Sequence, residues 1–136
     1  MKTFHLEIYT PYKKYYSDDV SFLHVRNSDT VLGILPNHAP LVTSIKIAEI
    51  IIKKDDKENV YACGGGVMDI QNNKVTLLLH SIERADEIDL ERAIASKLRA
   101  EERLKDKLNS KIDIRRAELA LSRALVRISI KNYTNK

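Results

Sequence analysis

Val75-Thr76-Leu77-Leu78-Leu79-His80-Ser81-Ile82-Glu83-Arg84-Ala85-Asp86-Glu87-Ile88-Asp89-Leu90-Glu91-Arg92-Ala93-Ile94 contains the point at which this chain changes its hydrophobic period. Before it, apolar residues recur at every second position. Val75, Leu77 and Leu79 share one face, as Phe4, Leu6 and Ile8 do near the amino end, where His5, Glu7 and Tyr9 take the other. Period two is the mark of a half-buried strand. After it, Leu90, Ile94 and Leu98 step by four, and Ala93, Ala100, Leu104 and Leu108 extend the stripe. Steps of three and four trace one face of a helix. Residues 83–89 therefore divide two kinds of structure, and Asp89 stands where an N-cap or first-turn acid belongs.

Toward the amino end, turn signals cut the chain at Thr10-Pro11, Asn27-Ser28-Asp29, Pro36-Asn37, Lys54-Asp55-Asp56-Lys57 and Gln71-Asn72-Asn73. Short alternating runs between such signals predict an antiparallel sandwich or barrel. The β-branched run of residues 45–52 predicts a mostly buried strand. Toward the carboxyl end, Asn109-Ser110 stops the first helix. A second stripe then runs through Ile114, Ala117, Leu121, Ala124, Leu125 and Ile128, with Asp113 near its start. Two helices with a short joint form an antiparallel hairpin, and Ala93, Ala100, Ala117 and Ala124 let them approach closely. The expected class is α+β: an N-terminal antiparallel β-sandwich (residues 1–84) followed by a C-terminal antiparallel two-helix hairpin (residues 85–136). A two-helix hairpin has little core of its own and must dock on something. No Pro/Gly-rich linker separates the halves, so the hinge is short, within residues 82–88.

Composition narrows the function classes. The chain has 136 residues, 43% of them apolar, and no Trp, so its core is aliphatic. No apolar run approaches the ~20 residues of a membrane span. The amino terminus alternates as a first strand does and lacks the pattern of a signal or transit peptide. Cys63 is the single cysteine, so no intrachain disulfide forms, and a reducing compartment suits the chain. It is expected to be a buried small hydrophobe. Through Ala85 ten Lys/Arg balance ten Asp/Glu, whereas from Asp86 onward thirteen face nine. The whole net charge of +4 thus lies in the helical third, which points to an acidic partner or a phosphate.

Three features bear on sites. Residues 33–41, Gly33-Ile34-Leu35-Pro36-Asn37-His38-Ala39-Pro40-Leu41, carry two prolines that cannot donate to a ladder. They predict a stiff exposed connection with Asn37 and His38 at its tip, either without a role or contacting another subunit. Cys63-Gly64-Gly65-Gly66 lacks the Gly-Lys-Ser/Thr of a phosphate loop and predicts a bulge or a close strand approach. Arg92, Arg99 and Arg103 are spaced seven and four, and so are Arg116, Arg123 and Arg127, with Lys131 four further on. Each row shares a helical face. It is either a solvated face, partly neutralised by Glu91, Glu101, Glu102 and Glu118, or half of an anion site. His5, His24, His38 and His80 show no ligand spacing among themselves or with Cys63, so no metal site is expected, and no catalytic constellation stands out.

These segments resemble, in the same order, those of the epsilon subunit of bacterial F-type ATP synthase, over nearly the whole chain. Residues 33–41 match its G-x-L-P-x-H-x-P-L signature, and the resemblance implies that this loop, with His38, faces the membrane rotor ring of c subunits. The family often has an acid two places before the motif glycine, where this chain has Val31. Residues 67–75 resemble the family's hairpin beside the gamma subunit of the central stalk. Ile88-Asp89-Leu90-Glu91-Arg92-Ala93 resembles the Ile/Leu-Asp-x-x-Arg-Ala motif with which some members bind ATP. The resemblance then implies a regulatory ATP site of Glu83, Asp89, Arg92, Ala93, Arg99, Arg123 and Arg127, and no required cofactor. It also implies a non-catalytic subunit, peripheral on the cytoplasmic side of the inner (plasma) membrane. Such a subunit couples proton- or sodium-driven rotation to ATP synthesis. Its hairpin restrains hydrolysis by opening, so that Arg116 and Lys131 meet acidic loops of the catalytic beta subunits. The alternative class is a nucleic-acid-binding protein using its basic hairpin. The nine acids of that region and the lack of aromatics among its arginines weigh against it, and no nucleic-acid partner is expected.

Overall fold

The computed structural model describes residues 2–28, 30–106 and 113–134. Asp29, Leu108 and Asn109-Ser110, named above as turn, stripe and helix-stop residues, lie outside them. Strands β1 (Phe4–Tyr9), β2 (Lys14–Val20), β3 (Phe22–Arg26), β4 (Val31–Ile34), β5 (Leu41–Lys54), β6 (Lys57–Gln71), β7 (Lys74–Leu79) and β8 (Ile82–Arg84) come first. Helices α1 (Leu90–Lys105) and α2 (Ile114–Thr134) follow. The strands bond in the order β2-β1-β7-β6-β5-β3-β4, with β8 on β6. Every ladder is antiparallel but one: β1 runs parallel to β7, pairing His5 with Lys74 through Tyr9 with Leu78.

Tight turns at Asp55-Asp56 and Asn72-Asn73 link β5 to β6 and β6 to β7. All four residues take φ between 51° and 62°. Asn and Asp tolerate that region, and it matches the twist of a two-residue hairpin. The sheet folds across the long β5–β6 hairpin. One half of the hairpin carries β7, β1 and β2; the other carries β3, β4 and β8. Leu6, Ile8, Leu23, Ile50, Met68 and Leu77 meet between the halves in one buried cluster.

The fold line is the glycine run. Along β6, Tyr61 and Cys63 face the core, but beyond the glycines the core residues are Met68 and Ile70, which have the opposite parity. The flip happens at Gly65, where φ is +90° and the β5–β6 register omits the Lys46–Gly65 pair. Only glycine adopts that conformation without strain. At Gly66 a Cβ would stand 2.0 Å from the Leu78 carbonyl oxygen, so a side chain is excluded by the neighbouring strand. β6 also changes partner here, from β8 to β7.

The amino half of β6 is covered on both faces. Tyr61 and Cys63 point into the sandwich, while Val60 and Ala62 meet Ala85, Ile88, Val126 and Ile130 in a small second cluster. α2 lies on β5 and β6, and α1 packs on α2. The alanine rows are the seam: Ala93, Ala100, Ala117 and Ala124 are all buried. Of the wider stripes, Ile94, Leu98, Ile114 and Leu125 are exposed, Leu98 at 54%. The expected burial of Ile94 and Leu98 fails because α1 packs on α2 on one side and has nothing described on its other. Ile130 does the docking instead.

The connector is tighter than a free hinge. Ile82–Arg84 is strand, followed by one 3-10 turn at Ala85–Glu87. Tyr15 donates from its hydroxyl to Glu87 Oε1 at 2.8 Å, and Lys131 Nζ reaches the Ala85 carbonyl at 3.4 Å.

Candidate functional site

Asp89 opens α1. Its carboxylate accepts from the Arg92 backbone N–H at 3.1 Å, the capping bond that satisfies one of the helix's orphan donors. The cap aims the first turn so that Arg92, Ala93 and Ser96 face one side. β8 brings Glu83 to the same place and α2 brings Arg127. Together Glu83, Asp89, Arg92, Ala93, Ser96 and Arg127 line a cavity of about 320 Å³. Arg127 Nε donates to Glu83 Oε1 at 2.5 Å, joining α2 to the sandwich. Both side chains are about one-third exposed or less, so the pair is shielded from screening more than a surface pair.

Chemically the cavity offers two guanidinium groups, two carboxylates and a hydroxyl. Guanidinium forks take phosphate oxygens bidentately, and carboxylates accept from amino or hydroxyl groups. An anion drawing Arg127 away would free Glu83 to accept a donor from the same ligand. Ser96 was not foreseen. Its signal is its spacing, three beyond Ala93 and four beyond Arg92.

The other sequence-derived residues stand elsewhere. Arg99 Nη2 donates to Ser96 Oγ at 3.1 Å, one turn from the cavity, on an exposed side chain. Arg123 is not in the lining. Its Nε donates to the Gly64 carbonyl at 3.2 Å, and burial, with Arg127 beside it, pulls its pKa down. Arg116 is exposed, its backbone N–H bonded to the capping Asp113 at 3.0 Å. Lys131 lies at the Ala85 carbonyl, near Arg84 and Asp86. His38 is half-buried at the far end of the sandwich, where its Nδ1 donates to the Ala39 carbonyl at 2.7 Å. Its loop is pinned by Asn73, whose side chain accepts from Asn37 N–H at 2.7 Å and donates to the Thr3 carbonyl at 3.0 Å. Cys63 is buried, and burial pushes its thiol up to about 11, out of nucleophilic range at neutral pH. Among the described residues no three His, Cys, Asp or Glu side chains converge to hold a metal, and no helix is long and apolar enough to cross a membrane.

Comparisons with known proteins agree over both halves. The family described as ATP synthase, Delta/Epsilon chain, beta-sandwich domain matches residues 3–85, and the long alpha-helix domain of the same description matches residues 86–132. An ATP synthase epsilon chain of Desulforamulus reducens is 45% identical over 127 residues, 93% of this chain and 96% of that one. One from Bacillus licheniformis is 43% identical over 130 residues, 96% of this chain and 98% of that one. A chain in the Euglena gracilis mitochondrial ATP synthase shares the fold, with a TM-score of 0.79 at 14% identity, over 100% of this chain and 83% of that one. The chain belongs to the family of bacterial F-type ATP synthase epsilon subunits, which are non-catalytic members of that complex.

Proposed function

We propose that this subunit sits on the central stalk and uses its hairpin as a regulatory arm with two positions. In the compact position, described above, ATP binds the cavity of Glu83, Asp89, Arg92, Ala93, Ser96 and Arg127. In the extended position the hairpin of residues 85–136 leaves the sandwich of residues 1–84. Arg116 and Lys131 then meet acidic loops of the catalytic beta subunits and impede hydrolysis.

The observation that carries this reading is the composition of the cavity: β8, α1 and α2 each supply part of it. A ligand filling it contacts all three and therefore favours the arrangement in which they are together. Ligands shift a two-state equilibrium only by such differential binding. Moving a population from 1:99 to 99:1 takes about 5.5 kcal/mol. Two Arg–phosphate contacts at roughly 1.5–3 kcal/mol each supply part or all of that. The arm is held by a small cluster of four buried residues with Val60 and Val126 against it, the Glu83–Arg127 pair and the Arg123 bond to the Gly64 carbonyl, far less than the core of the sandwich. Ile94 and Leu98, bare on α1 in the compact state, are available to another surface in the extended one.

The rest of the molecule supplies anchorage. Val42, Val67 and Leu78 make an apolar patch on the outer face of β5, β6 and β7, with Val67 directly opposite Leu78. This patch suits the gamma subunit of the stalk. The His38 loop, with Leu35 60% exposed, suits the polar loops of the c-ring. The protein would then be peripheral on the cytoplasmic face of the inner membrane, carried by a complex that moves protons or sodium ions.

Calorimetry of ATP binding to the full chain tests the switch. Arg92→Ala is expected to weaken binding at least tenfold, while ATP makes the compact form harder to digest at the connector. No heat with the parent chain, or equal affinity in the variant, overturns the ATP reading. In the reassembled synthase, removal of residues 86–136 is expected to raise hydrolysis, and unchanged rates overturn the inhibitory arm.

A further inference from the structure

The 3-10 turn Ala85–Glu87 has little to hold it from within. No side chain caps its start, and its closing backbone bond, Ile88 N–H to the Ala85 carbonyl, is long at 3.4 Å. Such turns are short and make poor internal bonds. What fixes this one comes from its neighbours. Arg84 reaches Asp86 at 2.6 Å and Glu87 at 3.8 Å, but Arg84 adjoins the turn and moves with it. Lys131, at the Ala85 carbonyl, belongs to α2 and leaves with the hairpin. Tyr15 is different. It stands on β2, 72 residues earlier in the chain, and its hydroxyl donates to Glu87 Oε1 at 2.8 Å.

The sandwich core aims that hydroxyl. The Tyr15 ring meets the buried Tyr61 ring edge to face, with centroids 6.3 Å apart and planes at 85°. Burial, and then the bond to Glu87, push the Tyr15 pKa above the usual tyrosine range, so the hydroxyl stays a donor at neutral pH. Glu87 is two residues before Asp89, the cap of α1. With Glu87 tethered, a swing of the hairpin must pivot at Ile88 and Asp89. Ile88 is itself buried in the small cluster with Ala85 and Ile130. The tether and the cluster therefore support each other.

We propose that Tyr15 is a latch: its bond to Glu87 holds the connector against the sandwich, and the hairpin opens only when that bond breaks. This rests on the two-position reading above and adds the residue that biases it. Neither Tyr15 nor Glu87 lines the nucleotide cavity. Loss of the latch therefore weakens ATP binding only by lowering the fraction of chains in the compact position.

The test uses the full chain with Tyr15→Phe, which keeps the ring on Tyr61 and removes only the hydroxyl. Hydrogen exchange at the Ile88 amide reads opening of the connector. Spin labels on Gln71→Cys and Glu102→Cys, both exposed positions, read the distance between sandwich and hairpin. Ile88 exchange is expected to rise about tenfold, the effect of one part-buried hydrogen bond to a charged group, and the ratio of long to short distances to rise by a similar factor. The Leu6 and Ile8 amides of β1 are expected to exchange as in the parent, which shows the sandwich intact. Glu87→Ala is expected to match Tyr15→Phe, and the two together to do no more than either. Glu87→Gln, which keeps an acceptor oxygen, is expected to restore most of the parent behaviour. The latch is overturned if Tyr15→Phe leaves the distances unchanged, whether or not Ile88 exchanges faster, or if the two substitutions add in full. Two distances in a ratio indifferent to Tyr15 sink the latch alone. One immovable distance in the parent and every variant sinks the two-position reading and the latch with it.

Discussion

Glu7 shows how much one side chain can depend on its neighbours. It lies on the outer face of β1 yet is only 8% exposed. Tyr9 donates to Oε2 at 2.6 Å, Lys74 Nζ lies 3.0 Å from Oε1, and Lys14 and His5 stand within 4 Å. The hydrogen bonds from Tyr9 and Lys74 hold its pKa down at about 2, well below 4.5. A depressed carboxyl pKa adds stability that is complete above the unfolded value and is lost as pH falls toward the folded one. Stability is therefore expected to fall between about pH 4.5 and 2, and Glu7→Gln to flatten that slope, measured by urea unfolding across the range. A second residue-scale prediction concerns Gly66. Its Cβ position is occupied by backbone, which cannot swing aside as a side chain would. Gly66→Ala is expected to destabilise the fold by roughly 1–3 kcal/mol, as overpacking does, with Gly33→Ala milder because its neighbour is the Phe22 ring.

At the scale of elements, α2 carries the connection between helices and sandwich. The Glu83–Arg127 pair crosses that junction, so a double-mutant cycle on Glu83→Gln and Arg127→Gln reports docking directly. A coupling of about 0.5–1 kcal/mol is expected by chemical denaturation, and none if the contact is incidental. Much at this scale was legible in the sequence. Period two foretold the strands, Asp89 the cap, and the four alanines the helix seam. Some was not. Periodicity marks a helix's apolar face without saying what covers it, so Leu98 looked like core and is bare, while Ile130 docks the arm. The two arginine rows had the right spacing, yet Arg127 and Arg123 diverge. Residues four apart are offset by about 40°, and here that offset keeps Arg123 out of the cavity that Arg127 lines. The parallel β1–β7 ladder was also hidden, because strand alternation is blind to partner and direction. Asn73, which pins the His38 loop, looked like an ordinary turn residue.

At the scale of the whole molecule, the two halves are unequally supported. The sandwich closes its own core, and the hairpin adds a second, small cluster on its outside. Deletion of residues 86–136 is expected to leave a cooperatively unfolding sandwich, its Tm lowered by no more than about 10 °C in calorimetry. Loss of dispersed amide resonances in the fragment would mean that the arm is part of the fold. Such an asymmetry fits a subunit in which one part stays fixed while the other changes position.

The parallel ladder also governs the order of assembly. β1 leaves the ribosome before the strands it pairs with, lies between β2 and β7, and its pairing with β7 spans His5 to Lys74. Its outward edge can zip to β2 early, whereas its inward edge stays open until β7 has emerged. Contacts so distant along the chain are slow to form. During synthesis, then, the nascent chain exposes an unsatisfied apolar strand, and closure of that seam marks the moment at which the sandwich becomes safe from sticking to other chains.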